Sequence, residues 1–350
     1  MRLADRIAQC RTPFIVENTK DGSITCLNNA AAYAEDINNC PTRYVLSDEL
    51  ASLCTALAYS KGARTLGCAD LLHVPAERVW VEWAEAPWRN ELARYGFKTP
   101  VDSPSAGRRG VFIQSTPQGR RGLLRTFWAV GETELDVLSS SMEAYFDFDA
   151  QKGTDPEVVG RQQQLAFCVS DHAVGDADLL RRCFRFRFER SWQDYYEKAQ
   201  LTSVQATALA HHALGTIAID IPVLLAFFLL LATRPGLPRR PLMLERLNKA
   251  RARCGKAAFL DQIEVFAPLL PEYKSGDAGA SEASRRSPRL HHVRGHLVRR
   301  GSTLFWRVPH LRGNARVGTI RTRTVTWEFD PAVSSSRTSG CAAPSVSHLS

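Results

Sequence analysis

Between Arg78 and Asp149 the chain alternates at short range and is rich in β-branched and aromatic residues, which predicts strands. Arg78-Val-Trp-Val-Glu-Trp83 reads as one strand. Gly110–Ser115 and Gly122–Val130 flank Thr116-Pro-Gln-Gly-Arg-Arg121, whose Pro and Gly mark the turn of a β-hairpin. Asp136–Asp149, with Tyr145-Phe-Asp-Phe148 alternating, reads as a further strand. The expectation is an antiparallel meander over 78–149.

Elsewhere the period is mostly helical. Thr12–Glu17 is a short strand candidate, and Asn28 and Asn29 precede an alanine-rich helical stretch. Ser47 suits an N-cap, with Asp48 and Glu49 in the first turn of a helix running to about Ser60. Asp176–Gln200 has a helical signal overall, although Phe184, Phe186 and Phe188 alternate with arginines as a strand would. Helices are expected at Thr202–Ala213 and Ile217–Ala232, stopped by Arg234-Pro-Gly-Leu-Pro238. A cationic helix over Pro241–Arg253, closed by Gly255, and a strand over Gln262–Ala267 follow. Lys274–Pro288 lacks large apolar residues and reads as a linker. Alternation returns over 290–329, in Leu304–Val308 and Thr319–Phe329, with turns at Gly301 and Gly313-Asn314.

The predicted fold class is α+β: an antiparallel sheet with a helical half, plus a small basic β-rich C-terminal module. The expected boundaries are 1–270 for the α+β domain (β-rich 78–149, helical 176–254), 274–288 for the linker and 289–329 for the module. A disordered tail is expected over 331–350.

The chain has 350 residues, 44% apolar and 23% charged, which excludes wholesale disorder, a collagen-like chain and a polytopic membrane protein. The apolar stretch 213–233 is interrupted by Asp220 and Pro222, so it reads as a buried core helix and not as a membrane span, which needs about 20 apolar residues. None of the nine cysteines forms a C-x-x-C pair, so a zinc ribbon and a thioredoxin motif are excluded. The Met1-Arg-Leu-Ala-Asp-Arg start lacks the apolar core of a signal peptide, and a cytoplasmic location with reduced thiols is expected.

Charge changes the picture most. The net charge is +9, and the segment from Arg285 to Phe329 holds eleven arginines, no lysine and one acid, Glu328. The rest of the chain carries 34 basic and 35 acidic residues and is nearly neutral. Such asymmetry points to an anionic partner, and arginine suits phosphate because its planar fork donates two parallel hydrogen bonds. Strand alternation over Thr319–Phe329 would put Arg321, Arg323, Val325, Trp327 and Phe329 on one face, mixing cations with rings as a single-stranded nucleic-acid platform does. The candidate nucleic-acid-binding residues are Arg294, His296, Arg299, Arg300, Trp306, Arg307, His310, Arg312, Arg321, Arg323 and Trp327. RNA or a ribonucleoprotein is the expected partner, with neither membrane nor cofactor. The alternative reading of the same residues is a solvated cationic surface with the aromatics as its core, or a module that binds a nascent chain or other protein.

Histidine offers a second chemistry. His292-x-x-x-His296 has a zinc-ligand spacing, but no cysteine lies between Cys254 and Cys341 to complete a finger, and no metal site is expected. A ribonuclease using His296 and His310 as acid and base is the enzymatic alternative. The chain has no Walker A loop, no G-x-G-x-x-G after a strand, no H-E-x-x-H and no G-x-S-x-G. Glu82, Glu85, Asp147 and Asp149 are acids that metal-dependent hydrolysis would pair, and solvent-facing strand residues on the simpler reading.

Several segments together resemble a known family. They are Val74-Pro75 leading to Trp80–Trp83, Phe127-Trp128, the apolar helix Leu224–Pro235, and His291, Arg294, Gly295, His296 and Arg300 followed by Phe305-Trp306-Arg307 and His310-Leu311-Arg312-Gly313. In this order they are similar to a family of phage- and plasmid-borne proteins that includes a type V-A anti-CRISPR protein. The resemblance spans about 65–329, is strongest in the Arg-Gly-His segment, and departs from the anti-CRISPR member at Leu297-Val298. It implies a mobile-element protein that suppresses production of a host defence protein through loss of its messenger RNA during translation. It supplies no catalytic residue.

Overall fold

In a computed structural model the elements run α1 (Leu3–Gln9), β1 (Val16–Asn18), β2 (Ile24–Leu27), a 3-10 turn (Ala30–Tyr33), α2 (Ala34–Asn38), β3 (Thr42–Leu46) and α3 (Asp48–Tyr59). Then come β4 (Arg78–Ala84), α4 (Glu85–Ala93), β5 (Arg108–Ser115), β6 (Arg121–Ala129), β7 (Val137–Ser139), β8 (Met142–Asp147) and β9 (Phe184–Phe188). Next are α5 (Ile221–Leu231), β10 (Arg239–Pro241), α6 (Glu245–Arg253) and β11 (Ile263–Val265). The last are β12 (Arg289–Val293), β13 (His296–Arg300), β14 (Thr303–Arg307), β15 (His310–Arg312) and β16 (Asn314–Thr319). The structure describes residues 2–11, 16–18, 24–27, 29–59, 68, 70–95, 107–129, 131, 136–150, 183–192, 214–215, 217–233, 236–268, 289–293, 296–307, 310–312 and 314–319.

Contacts divide the chain into two units, Met1–Leu269 with Leu297–Trp306, and Leu270–His296 with Arg307–Ser350. The first unit is built on a nine-stranded sheet in the order β10-β11-β3-β4-β5-β6-β8-β9, with β7 also pairing β6. The meander expected over 78–149 is present, since β4, β5, β6 and β8 pair antiparallel in succession. The sheet as a whole is mixed, because β3 lies parallel to both β4 and β11. The fold is thus α+β on a mostly antiparallel sheet. In the second unit, β12 pairs antiparallel with β15 and parallel with β16.

Alternation in the strands feeds two apolar layers. Val79, Val81 and Trp83 of β4, with Val111 and Ile113 of β5, join a core with Leu50 and Cys54 of α3, Leu92 of α4 and all of α5's apolar side chains. Trp80, Phe112 and Phe127 point the other way, against Leu3, Ala4 and Ile7 of α1 and Ile37 of α2. Among the described residues, helices therefore cover both faces of the sheet. The indole of Trp80 lies over Gly110 of β5, where a Cβ would collide with its ring. In the β5–β6 turn Gly119 sits at φ +67°, a left-handed conformation that glycine adopts without steric cost.

Several local expectations shift. Phe184–Phe188 is a strand, not helix: its phenylalanines face the core and Arg185 and Arg187 the other side, so the two-residue period governs. Of the rest of 176–200 only residues 183 and 189–192 are described; the helix at 202–213, the linker and the tail lie outside the described residues. Asp136–Asp149 holds two strands, separated at Ser140 and Ser141, where Ser140 Oγ accepts the Met142 N–H. The cationic helix starts at Glu245, because Arg239–Pro241 extends beside β11. Ser47 caps α3 as expected, its Oγ accepting the Leu50 N–H at 3.2 Å. The 11-residue α5 is apolar all round and buried, and among the described residues no helix is long and apolar enough to cross a membrane.

Candidate nucleic-acid interface

Part of the arginine-rich segment, β13 and β14, forms a two-stranded ribbon whose turn residue Gly301 has φ +57°. Leu304 is buried in the core of the first unit, and Leu297 and Trp306 pack half-buried against it. This inward face anchors the ribbon. Trp306, expected to stack on a base, thus spends part of its ring on the core. His296, Arg299, Arg300 and Arg307 are exposed.

The exposed arginines differ in what holds them. Arg299 donates from Nη1 and Nη2 to the two carboxylate oxygens of Asp70, at 2.8 and 2.7 Å, and from Nε to the Gly301 carbonyl. Hydrogen bonding to Asp70 holds its pKa above the usual arginine value. Arg300 lies 5.9 Å from the centre of the Phe305 ring. Neither Arg300 nor Arg307 has a carboxylate partner among the described residues. His310 and Arg312 are placed in β15 by their backbone. Arg294, Arg321, Arg323 and Trp327 lie outside the described residues, so the face expected over Thr319–Phe329 does too, apart from Thr319 at the end of β16.

The four acids considered for hydrolysis are all engaged by other groups. Glu82 is wholly buried: Oε1 and Oε2 accept the Leu3 and Ala4 N–H groups at 3.1 Å each, Trp80 Nε1 donates at 3.0 Å and Arg108 Nε at 2.6 Å. The carboxylate thus satisfies amides at the start of α1, where unpaired N–H groups and the helix dipole favour negative charge. Glu85 is also buried and pairs with Arg89. Sequence reasoning put both toward solvent as strand residues; Glu82 lies inward because helices cover both faces of β4, and Glu85 opens α4, where it is buried. Asp147 and Asp149 do face solvent, paired with Arg121 and Arg120.

Sequence reading missed a second buried charge pair. Arg109 donates from Nε and Nη2 to Asp220 Oδ1 and Oδ2 at 2.9 and 3.0 Å, and lies 4.5 Å from the Trp88 ring centre. Burial pushes the Asp220 carboxyl up, with Arg109 pulling against it. Asp220, which interrupts the apolar run, is therefore the residue that ties the entry of α5 to β5. The signal was present: a lone acid in an apolar stretch needs a buried cation. Nothing in its sequence neighbourhood says which one.

No family model, curated protein or solved structure matches the chain.

Proposed function

We propose that this protein binds RNA through its arginine-rich C-terminal segment, and that the bound RNA belongs to the production of a host defence protein. The observation that carries the first statement is the charge distribution: eleven arginines and one acid in Arg285–Phe329, against a near-neutral remainder. Guanidinium groups without a carboxylate partner among the described residues, as at Arg300 and Arg307, suit phosphate neutralisation with release of counterions. Arg294, Arg312, Arg321 and Arg323 extend the same cationic run, and Trp327 supplies a ring on which a base stacks. The second statement rests on the family resemblance alone. It makes the protein a mobile-element regulatory or counter-defence factor acting on messenger RNA or a ribonucleoprotein.

Crosslinking in cells, followed by recovery of what the protein holds, tests the reading. RNA is expected; recovery of protein alone, insensitive to nuclease, would assign the segment to a nascent chain or ribosome-associated partner instead. Incubating purified protein with RNA and a chelator separates binding from cleavage. Intact RNA is expected, whereas fragments lost on replacing His296 or His310 would make the protein a ribonuclease.

A further inference from the structure

Within the first unit, a groove of about 370 Å³ opens between the start of α1, the start of β5 and the segment around α6. Leu242, Leu247 and Phe259 give it apolar walls, and Asp5, Arg108 and Gln262 line it with polar groups. Its size falls in the range of small-molecule sites, which pair apolar walls with a few placed polar groups.

Gln262 makes the groove unusual. Its residue is 3% exposed, yet among the described residues neither Oε1 nor Nε2 of its amide has a hydrogen-bond partner. Its backbone is fixed, since its carbonyl accepts the Leu242 N–H at 2.9 Å. Arg108 is likewise half-satisfied: Nε is held by Glu82, while Nη2 is buried without a partner among the described residues. Asp5 already accepts the Leu260 N–H at 2.8 Å. Buried polar groups left unpaired are costly, and two of the residues lining this groove carry three such atoms between them, which fits a site built for something that pairs them.

We infer that this groove takes a nucleobase, read by the Gln262 amide with Arg108 Nη2 as an additional donor. A side-chain amide pairs both its atoms only with a partner that presents a donor and an acceptor side by side on one rigid edge, as nucleobases do. Leu242, Leu247 and Phe259 cover the faces of the ring, as apolar and aromatic side chains do for bases splayed out of single-stranded RNA. That the base belongs to RNA rests on the function proposed above; that the groove takes a base does not.

Calorimetric titration of the full chain with adenosine, guanosine, cytidine and uridine tests it. At least one nucleoside is expected to bind saturably, one per chain. Gln262→Leu should weaken that binding about tenfold or more, since a bidentate pair is lost. The same variant should melt no lower than wild type, because it removes an unpaired buried amide. Arg321→Ala/Arg323→Ala should leave nucleoside affinity unchanged, so failure of the RNA reading is seen separately. A homopolymeric oligoribonucleotide of the preferred base should compete; absence of competition would overturn RNA as the source of the base. No binding by any of the four nucleosides, or equal binding to the Gln262→Leu chain, would overturn the site.

Discussion

The guanidinium of Arg299 meets the carboxylate of Asp70 fork to fork, with N–H···O distances of 2.8 and 2.7 Å across 229 residues of sequence. One of the eleven arginines is thereby committed to the protein's own surface. Arg299→Ala should then weaken RNA binding less than Arg300→Ala or Arg307→Ala. Asp70→Asn, which releases the guanidinium, should strengthen binding at low salt. Fluorescence anisotropy with one labelled single-stranded RNA ranks the four variants. Equal losses for the three arginine variants would show that the Asp70 contact does not persist in solution.

Glu82 is the interior group on which most depends. It joins the first turn of α1 to β4 and β5 through bonds to Leu3, Ala4, Trp80 and Arg108. Glu82→Ala leaves two helix-start amides, an indole N–H and the half-buried Arg108 guanidinium without their acceptor. A loss of about 3–5 kcal/mol is expected, as for breaking a buried ion pair by removing one partner. Urea unfolding measures it; a loss within about 0.5 kcal/mol, typical of a surface substitution, would contradict the buried contact.

Arg109 and Asp220 should be strongly coupled. Arg109→Met alone strands a buried carboxylate and Asp220→Asn alone a buried cation, each costing on the order of 3 kcal/mol. The double variant removes both charges and should cost clearly less than the sum. The cycle checks the pairing through urea midpoints, and additivity would deny it.

Asp5 gives a pH signature. Burial raises its carboxyl pKa, with the Leu260 N–H opposing. A carboxyl whose folded pKa lies above the unfolded value binds its proton more tightly in the folded state. Its contribution is complete below the unfolded value, 3.8, and is lost as pH rises through the higher folded value. The stability of wild type minus that of Asp5→Asn should therefore fall with pH over that window and be flat above it. A difference that rises with pH there would reverse the assignment.

The elements that could be read in the sequence are those whose signals are local. The β5–β6 hairpin announces itself through Pro117 and Gly119, and α3 through Ser47 followed by two acids. What escaped depends on distant partners. The seven-residue α1 is too short to declare itself by periodicity, and its start is held by Glu82, 79 residues away. β3 was not expected as a strand because its Tyr-Val-Leu run is short and merges into the cap of α3. At Phe184–Phe188 the chain carried both periods, and pairing with β8 decided between them. For the candidate interface, net charge was legible, but the allotment of Arg299 to Asp70 and of Trp306 toward the core was not, since both partners lie in other parts of the chain.

The salt dependence of RNA binding tests the central proposal most directly. For about six phosphate contacts to a single strand, log K should fall with log[salt] with a slope near −4. Arg321→Ala/Arg323→Ala should lower affinity at least tenfold and shallow the slope by about 1.4. Affinity that ignores salt, or a double variant that binds RNA as tightly as wild type, would contradict it.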